Sequence, residues 1–354
     1  MKLSFKIGSA WGIPIELHLT FILLIVAVFI LFYPQIYSFV LILFLFVFVV
    51  FHELAHSVVA RRYGIKVRKI ILYPIGGVSE IEEIPENPSI EWRMAIAGPV
   101  TSLILGGAFL GINQFISIQI PLSTVPSSIL SSGNLLLDLG FINLLLGAFN
   151  LIPAFPMDGG RVFRALLAER MKFSDATKYA AYIGRIFGIL MVVVGVFSNF
   201  WLIVIGVFVY IGASEEAEQT IVSTTLASVR VKDVMQSEVG AVHPDQTIAE
   251  TLEVMFKSRY HDALVERDGV FQGVVIWNEI IKVAPEQRNN LKVEQMPLKN
   301  ISTYPDEAVL EVYKLMTKEK IDLVPVVDRE TPTKVIGVLT SEAIANAYEK
   351  ARNR

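Results

Sequence analysis

Phe51-His52-Glu53-Leu54-Ala55-His56-Ser57 stands at the end of a long apolar run, and Glu53 is the only formally charged side chain between Leu19 and Ala60. On a helix, positions i and i+4 share a face, so His52 and His56 can present two imidazoles to one metal ion with Glu53 beside them. A carboxylate and two imidazoles are expensive to place in a lipid-facing helix unless they are paired or bound. The stretch therefore points to a hydrolytic zinc site inside a membrane helix; the competing reading is a satisfied pair of core histidines.

Working outward, 53% of the 354 residues are hydrophobic and 18% are charged, far from the composition of an average soluble chain. The averages conceal a division. Leu, Ile, Val, Phe and Gly dominate up to about Tyr210, and charge returns from Glu215 onward. The expected organisation is a membrane domain over 1–220 and a soluble domain over 221–354. Cysteine is absent, which removes disulfides, thiolate metal sites and cysteine nucleophiles. The net charge of −3 comes without a basic block, so no nucleic-acid partner is expected. Met1 to His18 is mixed and amphipathic and offers no cleavable signal, so the first apolar run reads as a retained anchor.

A bilayer-spanning helix needs roughly 20 apolar residues. Candidate spans fall at about 18–34, 37–60, 93–113, 134–155, 178–197 and 199–213. Basic residues set the orientation. Lys2 and Lys6 precede the first span, Arg61, Arg62, Lys66, Arg68 and Lys69 follow the second, and Arg161, Arg164, Arg170 and Lys172 follow the fourth. The alternate connections carry no Lys or Arg. The pattern predicts a multi-pass protein of the cell membrane with both termini cytoplasmic, and His52 and His56 near the cytoplasmic end of the second helix.

Between spans two and three, β-branched residues surround Gly76-Gly77, as in two short strands joined by a turn. Pro74 limits any strand there to an edge. This hairpin either lies in the cytoplasm or dips into the membrane. Glu91-Trp92-Arg93 reads as an interfacial anchor, and Gly98-Pro99 with Gly106, Gly107 and Gly111 as small residues that let helices approach. Arg185 either snorkels to a cytoplasmic interface or forms an ion pair. In the fourth span, Asn143, Asn150 and Asp158 recur at seven and eight residues, close to two helical turns. Pro153 and Pro156 break that helix and aim Asp158 from an irregular turn. Asp158 can also serve as N-cap of a helix starting near Arg161, and the two roles are compatible.

A catalytic zinc site keeps three protein ligands and leaves one position for water. His52 and His56 supply two, and Asp158, at the cytoplasmic end of another span, is the best third. Glu53 can take the proton of the attacking water and return it to the leaving amine. Asn150 can donate to the developing oxyanion or hold the substrate backbone. His18, His243 and His261 lack ligand spacing and read as ordinary structure.

Together, HELAH in an apolar helix, the Gly-rich hairpin, Ala97-Gly98-Pro99 and the Asn150…Pro153…Asp158-Gly159 element resemble the site-2 protease family of intramembrane zinc metalloproteases. The similarity is to the branch with paired CBS domains, akin to the sporulation factor IVB proteases. The resemblance implies a zinc metalloendopeptidase with one Zn2+ per chain, His52, His56 and Asp158 as ligands, Glu53 as base and Asn150 as a polar active-site residue. It also implies a membrane-protein substrate whose transmembrane segment is unwound and held along the Lys66–Ile84 hairpin at Gly76, Gly77 and Val78. Met157 departs from the Leu common before Asp-Gly, with volume conserved.

From Val231 a pattern repeats, over about 231–285 and 293–350, mixing amphipathic helix with short β-rich runs. The repeats resemble a tandem CBS pair, modules that often bind adenosine nucleotides and associate as dimers; the tail reads either as a nucleotide sensor or as a purely structural or dimerising element. The hydroxyl-then-acid ribose signature is degraded: Ile276 and Glu279 keep the acid, whereas Thr340 and Ala343 keep the hydroxyl, leaving Thr340 as the candidate cofactor contact. The expected fold is thus a polytopic α-helical membrane protein of about six transmembrane helices with a β-hairpin insertion, plus an α/β tandem CBS pair. The alternative function is a CBS-regulated membrane transporter or channel.

Overall fold

The computed structural model describes residues 3–31, 36–74, 76–81, 87–116, 118, 132–237, 240–258 and 260–352. The chain divides into two compact units, Met1–Glu218 and Gln219–Arg354.

In the first unit, strands β1 (Ser4–Ala10) and β2 (Ile13–His18) precede helices α1 (Leu19–Leu31) and α2 (Ile36–Arg62). Strands β3 (Val67–Tyr73) and β4 (Gly76–Ile81) follow, then helices α3 (Pro88–Asn113), α4 (Leu135–Asn150), α5 (Asp158–Ala168), α6 (Phe173–Ser198) and α7 (Phe200–Ala227). Among the described residues, α2, α3, α6 and α7 are long and apolar enough to cross a bilayer, while α1 and α4 are apolar but shorter. The polytopic α-helical architecture with a β insertion stands. Helix α4 stops at Asn150, short of the expected 155, because the chain cannot stay helical through Pro153.

The hairpin after α2 is one half of a larger sheet. The order is β1-β2-β3-β4, with β2 and β3 parallel (Ile15 opposite Ile70, Leu17 opposite Leu72) and β3 and β4 antiparallel (Ile71 opposite Val78). The β1–β2 hairpin went unread in the sequence. It turns on Trp11 and Gly12, both at positive φ. Pro74 falls in the β3–β4 link, outside the ladder, and β4 is an edge strand. Residues 82–86, the end of the expected hairpin, lie outside the described residues.

The sheet packs on α2 through Ile13, Leu54 and Ile70, and through Phe21, Phe46 and Leu72. Burying such aliphatic and aromatic surface contributes on the order of 25 cal/mol per Å2, and it fixes where the Glu53 face of α2 meets β4. Helices α3 and α4 touch closely at Gly106, where an added Cβ would stand 2.8 Å from Leu144 Cγ. At Gly107 and Gly111, expected to act likewise, an added Cβ would meet nothing within 4 Å among the described residues.

The second unit contains β5 (Ala241–Val242), α8 (Ile248–Ser258), β6 (Ala263–Arg267), β7 (Val270–Val275), α9 (Trp277–Ile280), α10 (Val309–Glu319), β8 (Leu323–Val327), β9 (Val335–Thr340) and α11 (Ser341–Arg352). Among the described residues its sheets are β5-β6-β7 and β8-β9; one apolar core lies under β5 and β6, and the other, under β8 and β9, also takes in Val274 of β7. Buried Asp262 joins the halves, accepting from the Trp277 N–H at 3.0 Å and the Asp322 N–H at 2.6 Å.

Candidate metal centre

Helix α2 places His52 and His56 one turn apart on the same buried face, and α5 brings Asp158 up to them. Asp158 Oδ2 lies 3.0 Å from His52 Nε2 and 3.2 Å from His56 Nε2. One ligand atom from each of the three falls within 4.8 Å of the others. Two donors at zinc distance in near-tetrahedral disposition stand about 3.3 Å apart, which the two Asp158–imidazole distances match.

Both imidazoles are oriented by α3. The His56 Nδ1–H donates to the Met94 carbonyl at 2.7 Å, which leaves Nε2 as the lone-pair nitrogen facing Asp158. His52 Nδ1 pairs with Ser102 Oγ at 3.0 Å, and donation from this nitrogen leaves Nε2 free in the same way. Such outer partners set tautomer and ring direction in histidine-liganded sites. Gly98 fills the position between them. A Cβ there would meet His56 Nε2 at 2.2 Å and His52 Nε2 at 2.6 Å, so only glycine leaves the nitrogens accessible. The donor set, the His56 tautomer fixed by the Met94 carbonyl and this cradle fit zinc.

Asp158 reaches the pair because α4 ends early and the chain re-enters a helix only after Pro156. Met157, not Asp158, is the N-cap; Asp158 is the first helical residue, where the helix dipole favours a carboxylate. The capping alternative is thereby corrected.

Glu53 is half-buried next to the pair and accepts from Ser79 Oγ at 2.7 Å; Ser57 Oγ lies 3.2 Å from the same hydroxyl. Strand β4 presses against this carboxylate, since a Cβ at Gly77 would stand 2.6 Å from Glu53 Cγ. Gly76 sits at φ +143° and Val78 is exposed on the edge. Asn150 is half-buried at the last turn of α4, and its amide donates to the Leu146 carbonyl at 2.9 Å. Thr340 lies in the other unit, buried, its hydroxyl accepting from the Ala343 N–H at 3.1 Å.

The expectation for Glu91 is overturned. It is 3% exposed, and instead of anchoring at an interface its Oε1 accepts from Arg164 Nε of α5 at 2.8 Å and from Arg164 Nη2. The local Glu-Trp-Arg string looked interfacial because the partner is 73 residues away. Arg185 has its Nε buried without a hydrogen-bond partner among the described residues. Ser57, Ser79, Met94 and Ser102 were not singled out from the sequence; each matters only through packing across elements.

The peptidase family M50 model matches residues 40–132 and 112–191, and the CBS domain model matches residues 231–286 and 293–350. A zinc metalloprotease of Methanocaldococcus jannaschii is 41% identical over 278 residues, 78% of this chain and 78% of that protein. A candidate zinc metalloprotease of Synechocystis sp. is 28% identical over 377 residues, 99% of this chain and 96% of that one. The solved structure of a site-2 protease from Methanocaldococcus jannaschii is 44% identical, covers 60% of this chain and 95% of its own, and gives a TM-score of 0.46. Fold, site and relatives define the class, a zinc metalloprotease of the membrane. Within it, the chain belongs to peptidase family M50, the site-2 proteases, and carries an appended CBS pair. The family match favours this reading over a CBS-regulated transporter or channel.

Proposed function

We propose that His52, His56 and Asp158 are the zinc ligands and Glu53 the general base of an endopeptidase that cuts in or near transmembrane segments of membrane-anchored proteins. The convergence of three ligand atoms from α2 and α5, with Glu53 alongside, carries the reading. Bound zinc supplies Lewis acidity, lowering the pKa of water and polarising a carbonyl. Glu53 accepts the proton of the attacking water and later delivers it to the leaving nitrogen. The Ser79 hydroxyl holds the Glu53 carboxylate toward β4, which aims this proton transfer. Asn150, whose amide donates to the Leu146 carbonyl of its own helix, exchanges that partner for the substrate carbonyl.

Strand β4 is the sheet edge nearest Glu53, so a substrate segment added there as a strand would run past Gly76, Gly77 and Val78 with its backbone paired. The basic residues flanking the spans support cytoplasmic termini and a cytoplasmic site. On this reading the membrane protease domain occupies 1–220, and the CBS pair at about 231–285 and 293–350 is a regulatory tail. An adenosine nucleotide binds there with Thr340 among its contacts, and the pair associates as a homodimer.

Zinc content and cleavage of a model transmembrane substrate, compared among wild type, Glu53→Gln and Asp158→Ala, test the assignment. The expected result is near-stoichiometric zinc in wild type and Glu53→Gln, reduced zinc in Asp158→Ala, and cleavage by wild type alone. Zinc lost on Glu53→Gln would make Glu53 a ligand and end its role as base.

A further inference from the structure

Helix α3 carries more of the site than any single residue in it suggests. Glu91, Met94, Gly98 and Ser102 recur at three and four residues, which places them on one buried stripe of α3. Three of them act on the histidines: the Met94 carbonyl and Ser102 Oγ meet the two Nδ1 atoms, and Gly98 underlies both Nε2 atoms. Glu91 continues the stripe towards the third ligand, because it binds Arg164 of α5, the helix that begins with Asp158.

Arg164 is held on several sides. Glu91 binds it through two nitrogens, Glu216 Oε1 lies 3.6 Å from its Nη2, and its guanidinium stacks 4.9 Å from the Phe155 ring and 4.8 Å from the Phe173 ring. One turn nearer the site, Arg161 pairs with Glu216 at 3.4 Å. The side chains of Arg164 and Glu91 are 7% and 4% exposed, so bulk solvent screens the pair little. A planar guanidinium gripped at two nitrogens transmits direction as well as charge.

We propose that Glu91 is a positioning residue for the third metal ligand: through Arg164 it fixes the rotation of α5 and with it the direction of the Asp158 carboxylate. This rests on the zinc reading above. The stripe on α3 then sets all three ligands from one rigid element.

The test uses the full chain in detergent, with zinc release into excess chelator, the visible absorption of the Co2+-substituted protein, and kcat and KM measured separately. Glu91→Gln should release zinc at least tenfold faster, shift the cobalt bands and lower kcat while KM moves less than twofold. Glu91→Asp should fall between it and wild type. Tyr37→Phe, which removes a buried hydrogen bond to Asp138 at the other end of α2, is the control for lost stability: it should lower the unfolding midpoint and leave zinc release and cobalt bands unchanged. If Glu91→Gln does not fold, Arg164→Lys, which keeps the charge and loses the fork, takes its place with the same expected direction.

Wild-type zinc release and cobalt bands in Glu91→Gln or Arg164→Lys would overturn the inference, as would equal acceleration by Tyr37→Phe. If Asp158→Ala loses zinc while Glu91→Gln does not, only this inference fails. A wild type without zinc removes the zinc reading and this inference with it.

Discussion

A single methyl group at position 98 would collide with both metal-facing nitrogens. Gly98→Ala is therefore expected to abolish zinc binding while leaving helix α3 intact, since Ala is the better helix former. Metal analysis beside far-ultraviolet circular dichroism checks this; a zinc-replete Gly98→Ala would mean that the imidazoles are not held where the structure has them. The sequence made the two histidines and Glu53 legible because their geometry is local to one helix. Asp158 was singled out less directly, through its spacing from Asn150, the Pro153 and Pro156 break, and the charge pattern that brings two helix ends to one side of the membrane. Ser79 and Ser102 carried no signal. A serine beside a carboxylate or imidazole becomes meaningful only once separate elements pack, and Glu91 was misread for that reason.

At the scale of elements, the β3–β4 hairpin was legible from its β-branched residues and Gly76-Gly77, whereas β1 and β2 were hidden by the interleaved Lys, Ser and Gly of residues 1–18. Strand β1 is exposed along much of its length, and alternation is a weak signal there. In the second unit the elements of the two repeats meet at Asp262, which accepts backbone N–H groups from the start of α9 and from the turn before β8. Asp262→Ala leaves those donors unpaired in a buried site, at a cost of about 2–4 kcal/mol. Calorimetry of the full chain should show the transition of this unit lowered, with zinc content unchanged. An unmoved transition would mean that Asp262 does not join the repeats and that their apolar contacts and backbone bonds, such as Phe271 N–H to the Thr333 carbonyl, suffice.

For the whole molecule, the lack of cysteine is an experimental opening. Single cysteines at exposed Asn199 and Glu349 can be labelled with impermeant maleimide on intact cells or inverted vesicles. With cytoplasmic termini, Asn199→Cys reacts only from outside and Glu349→Cys only from the cytoplasmic face. The reverse result, or labelling of both from one side, would overturn the orientation read from the basic residues and put the metal centre at the other face of the membrane.

The parallel pairing of β2 with β3 has a practical side. The chain's opening strands form the border of the sheet opposite β4, β2 pairing with β3 and β1 lying outermost, and the Leu19 amide is tied back to the Leu3 carbonyl at 2.8 Å. Affinity handles and fluorescent fusions placed before Ser4 would tug on the sheet from its far border, whereas the same additions after the last helix would not. Protein engineers should leave the front of this chain bare.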